Sequence, residues 1–290
     1  MWIVFACGSA LFAGITAVLA KEGIRTTDST VATALRTVVV LAGAWGMVFV
    51  VGSQAELAHL DARSTGLLVF SGLATGASWL CYFKALQLGS VSKVVPIDKL
   101  STVLTVLLAL IFLGERVSLI GALGVALIAV GTLLMLDADD LRGLPRAVRD
   151  GGGWLLYALG SAFFAALTAI LGKAGITGVE SNLGTAIRTG VVLVMAWVMV
   201  AVTGKLREVR AVPRGELGFV LASGAATCAS WLCYYRALQD GPASVVVPID
   251  KLSVLVTVLF SALVLHEAVS RRYLIGLALL VGGTLAMLLL

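Results

Sequence analysis

The sequence predicts an all-α polytopic membrane protein of ten transmembrane helices, arranged as two inverted five-helix repeats. Two observations carry this prediction. Of the 290 residues, 60% are hydrophobic and only 13% are charged, whereas a soluble domain has about 25% charged residues. In addition, a shift of 152 residues aligns the chain with itself without a gap. Tandem apolar repeats with an odd number of spans must lie in opposite orientations, as in many secondary transporters.

The repeat is clearest at charged and aromatic positions, where a fixed period sets the architecture. The recurring residues of the first repeat include Trp2, Lys21, Arg36, Trp79, Tyr82, Asp98 and Lys99, which fall on Trp154, Lys173, Arg188, Trp231, Tyr234, Asp250 and Lys251. We therefore divide the chain into a first repeat at 1–137, a polar linker at 138–153 and a second repeat at 154–290.

Each repeat contains five apolar stretches that approach the ~20 residues needed to cross ~30 Å of hydrocarbon. The stretches of the first repeat cover 2–20, 30–51, 65–88, 90–113 and 118–136. Those of the second repeat cover 154–172, 182–203, 217–239, 242–265 and 270–290. We predict a helix for each stretch, because the short alternating strands of a membrane barrel are not found in the sequence.

Positive charge is distributed unevenly between the two predicted sides of the membrane. Lysines and arginines collect on the side opposite the termini, in the linker and in the basic loop at 204–214. The equivalent loop at 54–63 is instead acidic, with Glu56 and Asp61. Cytoplasmic loops carry an excess of Lys and Arg. This bias predicts a cytoplasmic linker and external termini, and it explains the net charge of +5 without a nucleic-acid partner.

The pairs Asp98-Lys99 and Asp250-Lys251 are the strongest candidate site residues, because ionisable groups inside a membrane usually mark a pathway or a pairing site. Asp98 lies about 12 Å along its predicted span, close to the midplane. Pro96 and Pro248, two residues upstream, predict a break in each fourth helix at that depth. The alternative is that the proline and aspartate merely begin a helix, with the carboxylate neutralising its positive end.

Arg36 and Arg188 lie about 10 Å along the second helix of each repeat, too deep to reach the interface easily. We expect the buried pairs Arg36–Asp98 and Arg188–Asp250, which either hold the structure together or contact substrate. If both pairs form, the neighbouring lysines give the central cavity a positive potential. Such a cavity favours an anionic or zwitterionic substrate.

Four aromatic residues lie at about the same depth and are candidates to line the cavity, although packing is the commoner role of aromatic residues in membrane spans. They are Trp79, Tyr82, Trp231 and Tyr234. Glu115 and Glu267 lie at helix ends near the membrane interface, and we expect a structural role for both. The sequence contains no metal-ligand cluster, phosphate loop or nucleophile triad, so we expect no metal, no cofactor and no enzymatic activity.

Several motifs resemble the EamA domain of the drug/metabolite transporter superfamily over nearly the whole chain. These are Ala34-Leu35-Arg36 and Ala186-Ile187-Arg188, the helix end from Tyr82 to Leu86, the Gly114-Glu115 pair, and Pro-Ile-Asp-Lys-Leu-Ser at 96–101 and 248–253. Each half is similar to the single-domain, five-helix EamA-like proteins of bacteria. The resemblance implies a metabolite or drug transporter of the bacterial inner membrane, commonly an exporter, built as a fusion of two such domains.

Together these features predict a secondary transporter of a small polar metabolite, anionic or zwitterionic, that works by alternating access between the repeats. Coupling to a proton or a counter-solute is possible, and Asp98 and Asp250 are the candidate proton carriers. The alternatives are a proton-coupled exporter of lipophilic cations or drugs and a lipid flippase. Besides its substrate and the lipid bilayer we expect no partner, because fusion of the two halves favours a monomer.

The orientation can be tested with reporter fusions at the carboxyl terminus. We expect an alkaline phosphatase fusion to be active and a green fluorescent protein fusion to be dark, because both termini are predicted to be external. A fusion at the linker should show the reverse pattern. A fluorescent carboxyl-terminal fusion would show that the charge bias has been assigned to the wrong side.

Overall fold

The computed structural model describes residues 1–88, 94, 97–98, 100–135, 153–263 and 270–288, and the residues it describes include no strand. The helices of the first repeat are α1 (Trp2–Gly23), α2 (Ser29–Val51), α3 (Ala62–Leu88), α4 (Ser101–Phe112) and α5 (Leu119–Leu134). Those of the second repeat are α6 (Gly153–Gly175), α7 (Ser181–Val202), α8 (Arg214–Asp240), α9 (Ala243–Lys251), α10 (Ser253–Leu263) and α11 (Arg271–Met287). The predicted linker up to residue 152, together with Pro96, Lys99 and Glu267, lies outside the described residues.

The second helix of each repeat begins and ends in the same way. Asp28 caps α2 by accepting hydrogen bonds from the backbone N–H groups of Thr30 and Val31. Glu180 caps α7 through the N–H groups two and three residues further along. Each helix is followed by a glycine with positive φ, at Gly52 (80°) and Gly204 (74°), a conformation that ends helices readily. A short 3₁₀ helix, which the sequence analysis does not predict, then leads to the third helix.

Helices pack mainly across the two repeats. The first helix of each repeat lies along the third helix of the other, as α1 against α8 and as α6 against α3. The second helices pack against each other, and so do the fifth helices, α5 and α11. Seven helical segments of the described chain are long and apolar enough to span a membrane, and α4 and α5 are shorter apolar helices. The predicted fold class is confirmed.

The fifth helices, α5 and α11, approach each other backbone to backbone. A Cβ atom added to Gly131 would lie 2.5 Å from the carbonyl oxygen of Gly276. A Cβ added to Gly124 would lie 2.7 Å from the carbonyl oxygen of Gly283. Small residues permit such close contact. Because lipid is as apolar as the side chains, the hydrophobic effect does not drive helices together in a membrane, and the dispersion energy of close packing stabilises their association instead. Because these glycines are equivalent in the two repeats, the contact follows the repeat symmetry.

The fourth span of the second repeat is divided into α9 and α10, but its break does not lie at the proline. Pro248 is inside α9. The proline cannot donate a hydrogen bond to the carbonyl of Ser244, four residues earlier, yet the helix continues to Lys251. The break comes at Leu252, whose N–H donates to the carbonyl of Ile249 (2.9 Å). Leu100 donates to Ile97 in the same way (3.1 Å). The break in the second repeat therefore follows Asp250-Lys251, and Leu100 has the equivalent turn hydrogen bond in the first repeat.

The glycine contact predicts a large effect from one methyl group. Gly131→Ala should lower stability by about 1–3 kcal/mol, because the added Cβ meets a backbone atom that cannot move aside cheaply. The measurement is the thermal unfolding midpoint of the purified protein in detergent. Gly46→Ala on α2 is the matched control, since a Cβ there meets nothing within 4 Å and alanine favours a helix. Equal midpoints for the two variants would contradict the close packing.

Candidate functional site

A cavity of about 240 Å³ lies between the two repeats. It is bounded by α1 and α3 of the first repeat and by α6, α7, α8 and α9 of the second. Its charged and aromatic lining comprises Trp79, Arg188, Trp231, Tyr234, Tyr235, Asp250 and Lys251. Its hydroxyl lining comprises Thr75, Ser78, Thr168 and Ser230. The cavity therefore combines two cations, one carboxylate and several aromatic rings, a mixture that suits a small polar ligand.

Asp250 is bound through the first helix of the opposite repeat. The Ser9 hydroxyl donates a hydrogen bond to the Asp250 carboxylate (2.5 Å). The same hydroxyl lies 3.3 Å from the hydroxyl of Ser230, which itself donates to the Ser9 carbonyl (3.1 Å). Ser9 belongs to α1, Ser230 to α8 and Asp250 to α9. A single serine thus joins the third and fourth helices of the other repeat.

The same arrangement is repeated around Asp98. Ser161 on α6 donates to the Asp98 carboxylate (2.6 Å). Its hydroxyl lies 3.3 Å from that of Ser78, which donates to the Ser161 carbonyl (3.0 Å). We call the two sets the hydroxyl ladders, Ser9–Ser230 and Ser161–Ser78. They satisfy polar groups that would otherwise be unpaired in an apolar environment.

Arg188 is almost fully buried, with 2% of its surface exposed, and it reaches the first repeat. Its Nη2 atom donates to the Thr75 hydroxyl (2.6 Å) and its Nε atom to the Ser71 hydroxyl (3.3 Å). The guanidinium carbon also lies 4.8 Å from the ring centres of both Trp231 and Tyr235. Cation–π contacts of this kind strengthen when water is excluded. Arg188 is therefore held in the cavity wall by neutral partners.

The predicted pairing of arginine with aspartate is not formed. Within the described part of the chain, Arg188 has no ion pair with Asp250, and Arg36 has neither a hydrogen bond nor an ion pair. The pairing assumed that each repeat packs on itself. Because helices instead pack across the repeats, Arg188 faces α3 and Asp250 faces α1. Hydroxyl groups, rather than opposite charges, satisfy both side chains.

Six of the predicted site residues line the cavity together. These are Trp79, Arg188, Trp231, Tyr234, Asp250 and Lys251. Arg36, Tyr82 and Asp98 are outside its lining, and Tyr82 instead packs against the apolar cluster around Ala85. The remaining predicted positions, Lys99 and Pro96, lie outside the described residues, whereas Pro248 lies within α9 without lining the cavity.

The sequence analysis misses the hydroxyl residues and Tyr235. A signal for the hydroxyls exists, since Ser71, Thr75 and Ser78 recur as Ser223, Thr227 and Ser230. Small hydroxyl residues are common in membrane helices, however, and recurrence alone does not reveal a partner. Tyr235 offers no such signal, because its equivalent in the first repeat is Phe83.

Glu115 has the structural role that its position near a helix end predicts. Its carboxylate accepts hydrogen bonds from the backbone N–H groups of Ala243 (2.7 Å) and Ser244 (2.8 Å), at the start of α9. Lys173 lies 4.0 Å from this carboxylate and donates to the carbonyls of Leu238 and Gly241. The equivalent Glu267 lies outside the described residues. Glu115 therefore caps a helix of the opposite repeat.

Contacts between repeats also occur at both ends of the helices. At one end the Lys205 ammonium donates to the Asp28 carboxylate (2.6 Å). Burial raises the pKa of Asp28, but the Lys205 and Thr30 hydrogen bonds outweigh it and hold that pKa below its ordinary value. The contact is thus complete at neutral pH and is lost as the pH falls through the lowered pKa. At the other end, Ser53 donates to Glu180 (3.1 Å).

The family model for the EamA-like transporter family matches residues 1–137 and 152–289. The chain belongs to this family, whose members are membrane transporters. An "Uncharacterized transporter in cobO 3'region" from Sinorhizobium sp is 46% identical over 134 residues, which are 46% of this chain and 95% of that protein. That relative is therefore about as long as one repeat.

A solved structure, described only as "Crystal structure of protein", has a TM-score of 0.75 to this chain. It covers 98% of this chain and 96% of its own, at 17% identity. The similarity shows that the fold extends over both repeats. Together with the family match, it makes the chain a multi-pass membrane protein of a transporter family.

The helix-capping role of Glu115 can be separated from a role in transport. Glu115→Ala should lower the unfolding free energy by about 1–2 kcal/mol, because two backbone N–H groups lose their acceptor. Thermal unfolding in detergent measures this effect. Glu22→Ala is the control, since that carboxylate pairs with the exposed Arg25 (2.6 Å), and such surface pairs contribute about 0–1 kcal/mol. Full stability of Glu115→Ala with a loss of transport would instead identify Glu115 as a coupling residue.

Proposed function

We propose that the protein is a secondary transporter that moves a small anionic or zwitterionic metabolite by alternating access between its two repeats. The observation that carries this proposal is the cavity between the repeats, with Arg188, Lys251 and Asp250 in its wall. Sites at a repeat interface near the midplane are typical of secondary transporters. The repeat interface is where relative motion of the two halves changes access most.

The charge of the cavity favours a negatively charged group on the substrate. Arg188 and Lys251 contribute two positive charges, while Asp250 contributes one negative charge. Because charges interact strongly where water is scarce, the excess positive charge attracts a carboxylate or phosphate group. The Asp250 carboxylate can also accept a hydrogen bond from an ammonium group of the substrate, so a zwitterion matches both signs of charge in the wall.

The size of the cavity favours a metabolite over a drug. At about 240 Å³, it is smaller than the roughly 300–1,000 Å³ of typical pockets for drug-sized ligands. The rings of Trp79, Trp231 and Tyr234 border it and offer apolar surface to the remainder of a small solute.

Export of lipophilic cations is the second candidate, and one observation favours it. Asp250 has a hydrogen bond from Ser9 but, within the described residues, no ion-pair partner. A carboxylate in that situation can exchange a proton for a cation. The two neighbouring cations oppose this role, because they repel a cationic substrate.

We further propose that the protein works as a monomer in the bacterial inner membrane, with its linker on the cytoplasmic side. The fused repeats already supply both halves of the transport unit, and the hydroxyl ladders join them within one chain. A proton or a counter-solute would drive transport, with Asp98 and Asp250 as the candidate proton carriers.

A ligand panel tests the proposed substrate class. We expect amino acids or organic anions, but not lipophilic cations, to raise the thermal unfolding midpoint of the purified protein, because a ligand of the folded state stabilises it. Saturation at 100 times Kd adds about 2.7 kcal/mol. Lys251→Ala and Arg188→Lys should each remove most of this stabilisation.

Arg236→Ala is the matched control for the ligand panel. Arg236 lies on α8 next to Tyr235, but it is exposed and pairs with Asp240 (3.3 Å) rather than lining the cavity. It should therefore keep the full ligand response. Stabilisation by lipophilic cations alone, abolished by Asp250→Asn, would overturn the proposal in favour of cation export.

A further inference from the structure

Arg36 and Arg188 occupy equivalent positions in the two repeats, yet their side chains have different surroundings. Arg188 lines the cavity and donates to the hydroxyls of Ser71 and Thr75. Arg36 is half-buried in α2, but among the described residues it has no hydrogen-bond or ion-pair partner. The two arginines thus occupy equivalent positions in the repeats but make different contacts.

The backbone around the two arginines is nevertheless the same. A Cβ added to Gly72 would lie 2.9 Å from the carbonyl oxygen of Arg188. A Cβ added to Gly224 would lie 3.0 Å from the carbonyl oxygen of Arg36. Each second helix therefore packs equally closely on the third helix of the other repeat. The difference between the arginines belongs to the side chains and not to the helix packing.

The sequence gives Arg36 the partners that Arg188 already uses. Ser223 and Thr227 are the repeat equivalents of Ser71 and Thr75. In the structure, the Ser223 hydroxyl donates to the Val220 carbonyl of its own helix (2.7 Å). The Ser71 hydroxyl instead donates across the repeats to the Thr168 carbonyl (2.8 Å). The second hydroxyl pair is therefore present, but Ser223 is turned back onto α8.

A rigid scaffold would be expected to satisfy both arginines. Burying a charged group without a partner is strongly unfavourable, and an acceptor pair for Arg36 is available on the neighbouring helix. Only one of the two equivalent arginines is bound to its hydroxyl pair. This asymmetry indicates that each arginine side chain has two alternative arrangements, one bound and one released. Packed interfaces often have two discrete states of this kind rather than a continuous range.

We propose that Arg36 is the substrate-site arginine of the opposite conformation of the transporter. In that state Arg36 binds Ser223 and Thr227, while Arg188 leaves Ser71 and Thr75. This inference rests on the alternating access proposed above, in which inverted repeats exchange their conformations. The anionic group of the substrate then contacts Arg188 when the site faces one side and Arg36 when it faces the other. Ser71, Thr75, Ser223 and Thr227 are positioning residues for the two arginines.

Distance measurements between spin labels test the exchange without any ligand. Serine replaces Cys7, Cys81, Cys228 and Cys233, and labelled cysteines then replace pairs of exposed residues. One label pair, at Arg25 and Arg210, reports the separation of the repeats at one end. The other pair, at Ala58 and Thr177, occupies the repeat-equivalent positions and reports the opposite end. Double electron–electron resonance gives the distance distribution for each pair.

Thr75→Val removes the closest acceptor of Arg188 and should favour the opposite conformation. We expect its population to rise about tenfold, which corresponds to about 1.4 kcal/mol. The distance distributions of the two label pairs should then shift toward one another's original values. The matched variant Thr227→Val changes a hydroxyl that Arg36 does not contact here, and it should leave both distributions unchanged. Thr75→Ser keeps the hydroxyl and should restore the original distances.

Equal shifts in the Thr75→Val and Thr227→Val variants, or no shift in either, would overturn the switch. If Thr75→Val does not fold, Arg188→Lys provides the second variant, because lysine cannot bind both hydroxyls with the same geometry. The test is independent of the substrate. Exchange of distances without stabilisation by any anion or zwitterion would retain the switch and reject the proposed substrate class. Stabilisation by an anion or zwitterion, with unchanged distances between the spin labels, would reject the switch and retain the proposed substrate class.

Discussion

The first helix of each repeat lies against the third and fourth helices of the other repeat. The remaining architecture depends on this packing between the repeats. In an apolar environment, polar groups must find partners within the protein. Ser9 is therefore the donor for Asp250, and Ser161 is the donor for Asp98. Separating the repeats would leave both carboxylates without these donors. The same packing places the cavity between the repeats, so that any motion of one repeat relative to the other changes the lining of the cavity.

The repeat and the helical spans can be predicted from the sequence, because hydropathy and a fixed period are local signals. The helical rise predicts a common depth for the charged residues, and Arg188, Asp250 and Lys251 do line one cavity. Their partners cannot be predicted, because pairing depends on which helix of the other repeat lies alongside. Ser9 and Tyr235 illustrate the limit, since neither residue type is unusual in a membrane helix.

The two repeats differ in side chains at the candidate site and at the helix ends. Tyr235 faces Arg188, whereas the first repeat has Phe83 at the equivalent position. Glu216 accepts hydrogen bonds from the backbone of Thr26 and Thr27, whereas its equivalent is Ser64. The glycine contacts and the hydroxyl ladders, by contrast, occur at equivalent positions in both repeats. The helix packing is thus repeated in both halves, whereas these side chains at the cavity and at one end are not.

The contact between Asp28 and Lys205 has a consequence for how the protein responds to its surroundings. Its repeat equivalent joins Glu180 to Ser53, a neutral hydroxyl, so only one of the two contacts is an ion pair. Partly exposed ion pairs weaken as salt rises, since the Debye length shortens to about 10 Å at 0.1 M. For a transporter that alternates as proposed, ionic strength at one membrane face would then bias which way the molecule opens. The response would be specific to salt, because an uncharged osmolyte does not screen an ion pair.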